Sequence, residues 1–344
     1  MPEKRLKPLI IPIFIPHLGC PYRCVFCDQR KITSQSGREV DRNYVERVLN
    51  SAVDSKCFDP QRKPEVAFYG GTFTGISYDR MLELLEAVSP YIKDGLVVSI
   101  RVSTRPDTLD KRRLEIMKEY GVETVELGAQ SMDNMVLKLS NRGHTADDTV
   151  NAVQLLRDYG FRVGIQLMPG LPGDSKEIFF QTTEKIIGIH PDMVRLYPAV
   201  VIRGTDLERL YKTGEYRALD LDEAVEICAD SCVLLESKGI PVIRIGLMSS
   251  PQLLEKGRII AGPWHPAFGF LVRSMIYQRN IRHCLPLPGE ASLIKIFALK
   301  QEIPLLRGYR NQAIREIEAA TQTRIIGIGT DETLSAGSIR VVTV

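Results

Sequence analysis

The sequence predicts an α/β protein built from parallel strands and crossover helices. Short apolar, β-branched segments recur along the first two hundred residues. A stretch of helical period follows each of them, and alternation of periods near 2 and near 3.6 is the mark of βαβ units. The strands read Leu9–Ile15, Glu65–Tyr69, Leu96–Val102, Thr124–Leu127, Arg162–Leu167 and Met193–Tyr197. Between them the helices read Arg42–Ala52, Tyr78–Val88, Leu109–Glu119, Thr145–Tyr159 and Lys176–Ile187. Such units wind right-handed into an open sheet or a barrel, and periodicity alone leaves both open.

After Tyr197 the pattern changes. Leu221–Lys238 reads as one long helix and Ile240–Ile245 as a strand, and a loop with two prolines spans Gly262–Pro266. The end reads as strand Leu293–Leu299, helix Asn311–Thr321, and strands Arg324–Ile328 and Ser338–Val342. The expected division is 1–215, a mixed extension over 216–287 packed on it, and a small α+β tail over 288–344.

Composition narrows the class. With 344 residues, 44% of them hydrophobic and 25% charged, the chain is an ordinary folded protein of roughly two domains. Its 45 basic against 42 acidic residues neither require nor exclude a polyanionic partner. No apolar run reaches the ~18 residues of a membrane helix, and Leu9–Phe14 is interrupted by Pro12. No h-region or cleavage site follows the charged N-terminus. The expected compartment is therefore the cytoplasm, where the seven cysteines stay reduced.

Three of those cysteines carry the chemistry. Cys20-Pro-Tyr-Arg-Cys24-Val-Phe-Cys27 directly follows the first strand, at the end where α/β folds place reactive groups. Three thiolates within eight residues converge on one centre. Zinc accepts thiolates but usually takes a fourth Cys or His. A cubane iron–sulfur cluster held by three cysteines leaves one iron open to a ligand. Tyr69-Gly70-Gly71-Thr72 follows the second strand, and two glycines allow a backbone to approach a ligand closely.

The Cys-x3-Cys-x2-Cys spacing with Phe26 before the last cysteine resembles the radical S-adenosylmethionine signature. The resemblance implies a [4Fe–4S] cluster on Cys20, Cys24 and Cys27, with S-adenosylmethionine chelated to the open iron. It implies reductive cleavage to a 5′-deoxyadenosyl radical, with the electron drawn from an external flavodoxin- or ferredoxin-type donor. Gly70, Gly71 and Thr72 match the segment that binds the methionine amino group. That segment often ends in Glu, so the Thr72 contact is expected through the backbone.

Further segments resemble the Elongator catalytic-subunit family over roughly residues 10–270. They are Thr104-Arg-Pro-Asp107, Glu126–Ser131, Asn141-Arg-Gly-His-Thr145, Met168–Gly173, Pro191–Pro198 and Arg203-Gly-Thr205. This resemblance implies a partial (β/α)6 barrel acting on transfer RNA. It places Phe26, Gln130 and Ser131 near the adenosyl end, with Thr104 and Met168 lining the same cavity. The sequence departs from the family in two ways. Gln166-Leu167 stands where a His usually precedes the Met-Pro, and no room for the family's acetyltransferase domain follows. Arg324-Ile-Ile-Gly-Ile-Gly329 has the acyl-CoA loop pattern but lacks the helix that pattern needs.

The expected activity is radical modification of a base in transfer or ribosomal RNA. A small-molecule or tetrapyrrole substrate, or haem carriage on the same barrel, are the alternatives. Basic and aromatic residues interleave over Glu255–His283, which suits RNA or a packed helix with a solvated edge. Arg307-Gly-Tyr-Arg-Asn311 before a helix is similar to a KH loop with Asn311 in place of its second glycine. Cys228 and Cys232 share a helix face and read as small core residues or a chemical pair, His283-Cys284 as a lone ligand pair, and Cys57 has no reading.

Overall fold

The computed structural model describes residues 9–29, 32 and 40–344. The first seven residues, read above for a leader, lie outside that set. Seven parallel strands form the main sheet of a half-barrel, in the order β1–β2–β3–β4–β5–β6–β8. They are β1 (Ile10–Phe14), β2 (Glu65–Tyr69), β3 (Ser99–Thr104), β4 (Val122–Gln130), β5 (Arg162–Leu167), β6 (Met193–Leu196) and β8 (Val242–Ile245). A short strand β7 (Val201–Ile202) pairs antiparallel with β9 (Ile259–Ala261).

The six expected strands are all present. The seventh, β8, pairs parallel with β6 and continues the sheet, so the strand read in the extension belongs to the barrel. Pro12 is accommodated because β1 is an edge strand, where a missing N–H breaks no ladder. β4 runs past Leu127 to Gln130 after a register shift, and Gln130 ends it at φ 71°.

Most of the helices after β1 to β5 start at side-chain caps, the helix after β2 being the exception. α1 (Arg42–Val53) is capped by Asp41, whose carboxylate accepts from Tyr44 N at 2.8 Å. α2 (Tyr78–Lys93) and α3 (Lys111–Glu119) follow, the latter capped by Asp110. α4 (Asn134–Leu139) is a short helix absent from the sequence reading, because six residues hold too few periods to register. α5 (Ala146–Asp158) opens on a capping box between Thr145 and Asp148. α6 (Lys176–Ile189) is capped by Ser175. α7 (Asp206–Lys212) and α8 (Leu221–Ser237) come next.

The chain groups into two compact units, 1–220 with 235–264, and 221–234 with 265–344. The sequence draws its lines at 216 and 288, whereas the second unit takes in α9 (Phe268–Ile281) together with the tail. In that unit β10 (Leu293–Ala298), α10 (Ile303–Arg307), α11 (Gln312–Thr321), β11 (Arg324–Thr330) and β12 (Ile339–Thr343) follow in turn. Their sheet has the order β11–β10–β12, with β10 and β11 parallel. Arg324–Gly329 is therefore strand and not an acyl-CoA loop, as its missing helix requires. The loop read as KH-like joins α10 to α11, with Arg310 and Asn311 both left-handed. Cys228 and Cys232 are buried, Cys284 is half-buried against the tail's core, and Cys57 is exposed.

The barrel interior is not uniformly apolar. Arg101 of β3 lies between Ile100 and Val102, and its side chain is 4% exposed. It donates to Glu65 of β2 at 2.6 Å and to Glu126 of β4 at 2.7 Å. Glu126 also meets Arg195 of β6 at 2.8 Å. Two guanidinium groups and two carboxylates thus neutralise each other across the sheet, as buried charge requires. Arg101→Met should leave Glu65 without its cation. The expected cost is about 3–5 kcal/mol of unfolding free energy, read from the urea midpoint.

Candidate functional site

The cysteine loop leaves the C-terminal end of β1 and is held from two sides. On one side it interlocks with the turn after β2, where Thr72 N donates to Leu18 O at 2.8 Å. A Cβ on Gly71 would sit 2.5 Å from Ile15 O and 2.6 Å from Leu18 O. One on Gly19, at φ 73°, would sit 2.3 Å from Thr72 O. Only glycine permits this approach of backbone to backbone.

On the other side the loop is gripped by residues 140–143. Val25 N donates to Ser140 O at 3.2 Å, and Asn141 Nδ2 donates to Arg23 O at 2.7 Å. The Tyr22 ring covers Gly143 and has the Arg105 guanidinium 5.1 Å from its centroid. Arg142 Nη1 reaches Cys24 Sγ at 3.0 Å, while its Nη2 donates to Gly128 O at 2.5 Å.

Cys20, Cys24 and Cys27 open on a cavity of about 620 Å³ within the half-barrel. Phe26, Gly70, Gly71, Thr72, Thr104, Gln130 and Met168 line it. Ser131 does not line it; its hydroxyl lies 3.3 Å from Thr182 Oγ1 and accepts from Asp133 N at 3.1 Å, a turn-forming role. Thr72 Oγ1 lies 3.3 Å from Cys20 Sγ, so its side chain as well as its backbone faces the loop. Gln166, standing where the family usually has His, donates to Gln130 Oε1 at 3.1 Å.

The donor set fits a positively charged cluster. Burial raises the Cys20 and Cys27 thiols above their ordinary range, and the neighbouring cysteines push Cys27 further. The three cysteines line one cavity, and a cationic centre among them relieves the repulsion between their thiolates. Among the described residues no three His, Cys, Asp or Glu side chains close on a single bare ion. Arg142 Nε is buried without a partner beside this loop, which suits an anionic group of a ligand.

Arg142 lies in the family-like segment 141–145, but nothing in the sequence singled it out. His144 is the buried neighbour instead, with Nε2 3.2 Å from Ala129 O and no place in the cavity lining. Reading missed Tyr69, Arg195 and Tyr197 as well. Arg195 donates to the Tyr69 hydroxyl at 2.7 Å and to that of Tyr197 at 3.3 Å. Burial, then the Glu126 charge, raises the Tyr69 hydroxyl well above its ordinary value, so it stays protonated. Charged residues inside an apolar strand were the available signal, since they are costly there unless used.

The basic and aromatic interval Glu255–His283 is not an open platform. Phe268 and Tyr277 are buried, Arg258 pairs with Glu255, and Arg279 pairs with Asp230 at 2.5 Å. Among the described residues no helix is long and apolar enough to cross a membrane.

Comparison with known proteins agrees with this geometry. The model of the radical SAM superfamily matches residues 14–186, and that of the radical SAM C-terminal domain matches residues 191–278. An uncharacterized protein of Methanocaldococcus jannaschii is 30% identical over 245 residues, covering 66% of this chain and 73% of that protein. A tRNA uridine(34) acetyltransferase of Methanocaldococcus infernus is 41% identical over 272 residues, 66% of this chain and 51% of that one. The chain thus spans about half the length of that acetyltransferase. In fold it is similar to the solved Elp3 of the same archaeon, with a TM-score of 0.62 at 24% identity, over 79% of this chain and 63% of that one.

Two outcomes are expected. Gly71→Ala should force the interlocked turns apart, because both atoms its Cβ meets are backbone, and thermal unfolding should shift down by several degrees. Wild-type stability in that variant would contradict the close approach. Burial, followed by the charges of Arg142 and Arg105, lowers His144 from 6.5 to about 4. The unfolded imidazole therefore takes up a proton that the folded one refuses. Stability is full above pH 6.5 and falls toward pH 4, by on the order of 3 kcal/mol. Chemical unfolding across that range should show the slope in the wild type and a shallower one in His144→Gln.

Proposed function

The chain belongs to the radical SAM superfamily of enzymes, and on that premise we propose that it generates a 5′-deoxyadenosyl radical and directs it at a base of an RNA. The observation that supports the first half is the convergence of Cys20, Cys24, Cys27, the Gly70-Gly71 turn and Arg142 on one cavity. The second half is supported by 41% identity to a tRNA uridine(34) acetyltransferase.

In this reading the three cysteines hold a [4Fe–4S] cluster. Bound with S-adenosylmethionine, that cluster supplies one-electron cleavage of the sulfonium and thereby the radical. The protein's part is binding, aim and exclusion of water. The backbone of Gly70 and Gly71 faces the amino end of the methionine moiety. Arg142 offers a buried cation for its carboxylate, held in place by its 3.0 Å contact with Cys24 Sγ. Gln130 has its amide beside Gln166, and this pair presents both donor and acceptor to the ribose or adenine edge. Phe26 and Met168 pack against a common apolar cluster and close that end to solvent.

Beyond the cysteines, Tyr69, Tyr197 and Arg195 give the cavity a polar wall. Arg195 Nε is buried without a partner there, a free donor for a carbonyl oxygen such as a pyrimidine displays. The electron comes from an external donor of flavodoxin or ferredoxin type.

The test is anaerobic reconstitution followed by measurement of 5′-deoxyadenosine release. RNA from cells lacking this gene should stimulate release, and RNA from cells carrying it should do so less, because its target base is already modified. Release indifferent to both RNAs would overturn the RNA half and leave a small-molecule substrate. Cys24→Ala should lose the cluster absorbance and all release. Survival of either would sink the radical half.

A further inference from the structure

The sheet β11–β10–β12 lies beyond both matched segments, the later of which ends at residue 278. Its two faces differ. Ile294, Ile296 and Ala298 of β10 are fully buried, in a core shared with Tyr277, Leu306 and Ile317. The alternate residues Leu293 and Lys295 are exposed and Phe297 is half-buried, so the other face of the strand is open.

At the centre of that open face, Phe297 stands between Gly329 on β11 and Arg340 on β12. A Cβ on Gly329 would come 2.6 Å from Phe297 Cε1. The ring therefore lies down across the neighbouring strand, in space that only glycine leaves. The Arg340 guanidinium sits 4.3 Å from the ring centroid. Asp331 accepts from its Nε at 3.0 Å and from its Nη2 at 2.9 Å, fixing the plane while half the side chain stays exposed. The result is a preorganised pair, the Arg340 guanidinium held over the Phe297 ring. Lys295, two residues from Phe297 on the same strand face, and Arg324, at the start of β11, are both exposed.

We propose that this face binds single-stranded RNA, with one base stacked on the Arg340–Phe297 pair and neighbouring phosphates engaged by Lys295 and Arg324. A base has a π-face that stacks on a guanidinium plane or an arene, and its backbone is drawn to adjacent cations. The local charge of the face selects this occupant. Lys295, Arg324 and Arg340 stand together beside the Asp331 carboxylate, whereas the second unit as a whole, with its acidic segment 221–234, balances ten Lys and Arg against ten Asp and Glu. A second copy docked face to face would set Lys295 and Arg340 against their own like charges. The inference rests on the RNA-directed reading above and says where, outside the cavity, the strand is held.

The experiment uses the full chain with a fluorescein-labelled oligouridine of about 12 nucleotides and a blunt RNA duplex of equal length, followed by anisotropy over a salt series. The single strand should bind more tightly than the duplex. Phe297→Leu keeps apolar cover and removes the arene, and it should weaken binding about tenfold. Lys295→Gln and Arg324→Gln should each flatten the salt dependence by about one counterion, and Arg340→Gln should weaken binding as Phe297→Leu does. Basal 5′-deoxyadenosine release, measured without RNA, should be unchanged in Phe297→Leu. Cys24→Ala should still bind the oligonucleotide.

The proposal is overturned if Phe297→Leu and Arg340→Gln both bind within about twofold of wild type. It is also overturned if the duplex binds as tightly as the single strand, or if this face instead mediates a dimer that Phe297→Leu dissolves. RNA-stimulated release with Phe297-independent binding would sink this face alone. Phe297-dependent binding without any RNA stimulation would sink the RNA-directed reading and leave the face.

Discussion

The site depends on two backbone turns that touch where no side chain fits. The turn carrying Gly19 and the turn carrying Gly71 belong to loops some fifty residues apart in sequence, at the ends of neighbouring strands. Their contact fixes the start of the cysteine loop against β2, and residues 140–143 fix its far side. Three thiols on an eight-residue loop would otherwise sample many arrangements, and the entropy of ordering them would fall on whatever ligand they hold. Here the ordering is completed by folding. The same contact sets Gly70 and Thr72 beside Cys20, so the first cysteine of the loop and the glycine turn that lines the same cavity are positioned by one interaction.

A second constraint is the interior charge. Glu65, Arg101, Glu126 and Arg195 are the kind of groups a fold expels unless they satisfy one another. They do so across four strands, and the outer members, Tyr69 and Tyr197, carry the network to the cavity wall. The arrangement ties the register of the sheet to the shape of the cavity. A shift of any of these strands by one residue would turn its charged side chain to the helix-covered face. Specificity of fold and polarity of site therefore share the same side chains.

How much of this is legible in the sequence follows from what each signal records. Alternating periods report which faces are buried, so the six strands and the helices between them are readable, as are Cys20, Cys24 and Cys27 at the end of the first. Period does not report register, and β8 joins the barrel although forty-five residues of changed pattern separate it from β6. Spacing also does not say what a polar residue meets. Arg142 and His144 sit two apart in one turn, yet one reaches a cluster thiol and the other a backbone carbonyl. Ser131 follows Gln130 directly and points away from the cavity, because Gln130 ends β4 in a left-handed conformation that turns the chain. In 255–283 the residue types suit RNA, but Phe268 and Tyr277 are spent on the core, a distinction made only by tertiary packing.

Arginine serves opposite ends in the two units. In the barrel Arg101, Arg105 and Arg142 are nearly or wholly withdrawn from water, each held by carboxylate or carbonyl oxygens, and their worth lies in fixed position at low dielectric. In the tail Arg340 is held in plane by a single carboxylate and left half exposed, and Arg324 is exposed at a strand end. A buried guanidinium next to a cluster gains from a ligand that brings one negative charge to one place. An exposed row gains from a ligand that carries many, spaced along a chain, and loses that gain as salt rises. The contrast supports the proposed placement of a small charged ligand in the first unit and of a polyanion on the exposed strand face of the second. It also explains why a net charge of +3 says so little about either.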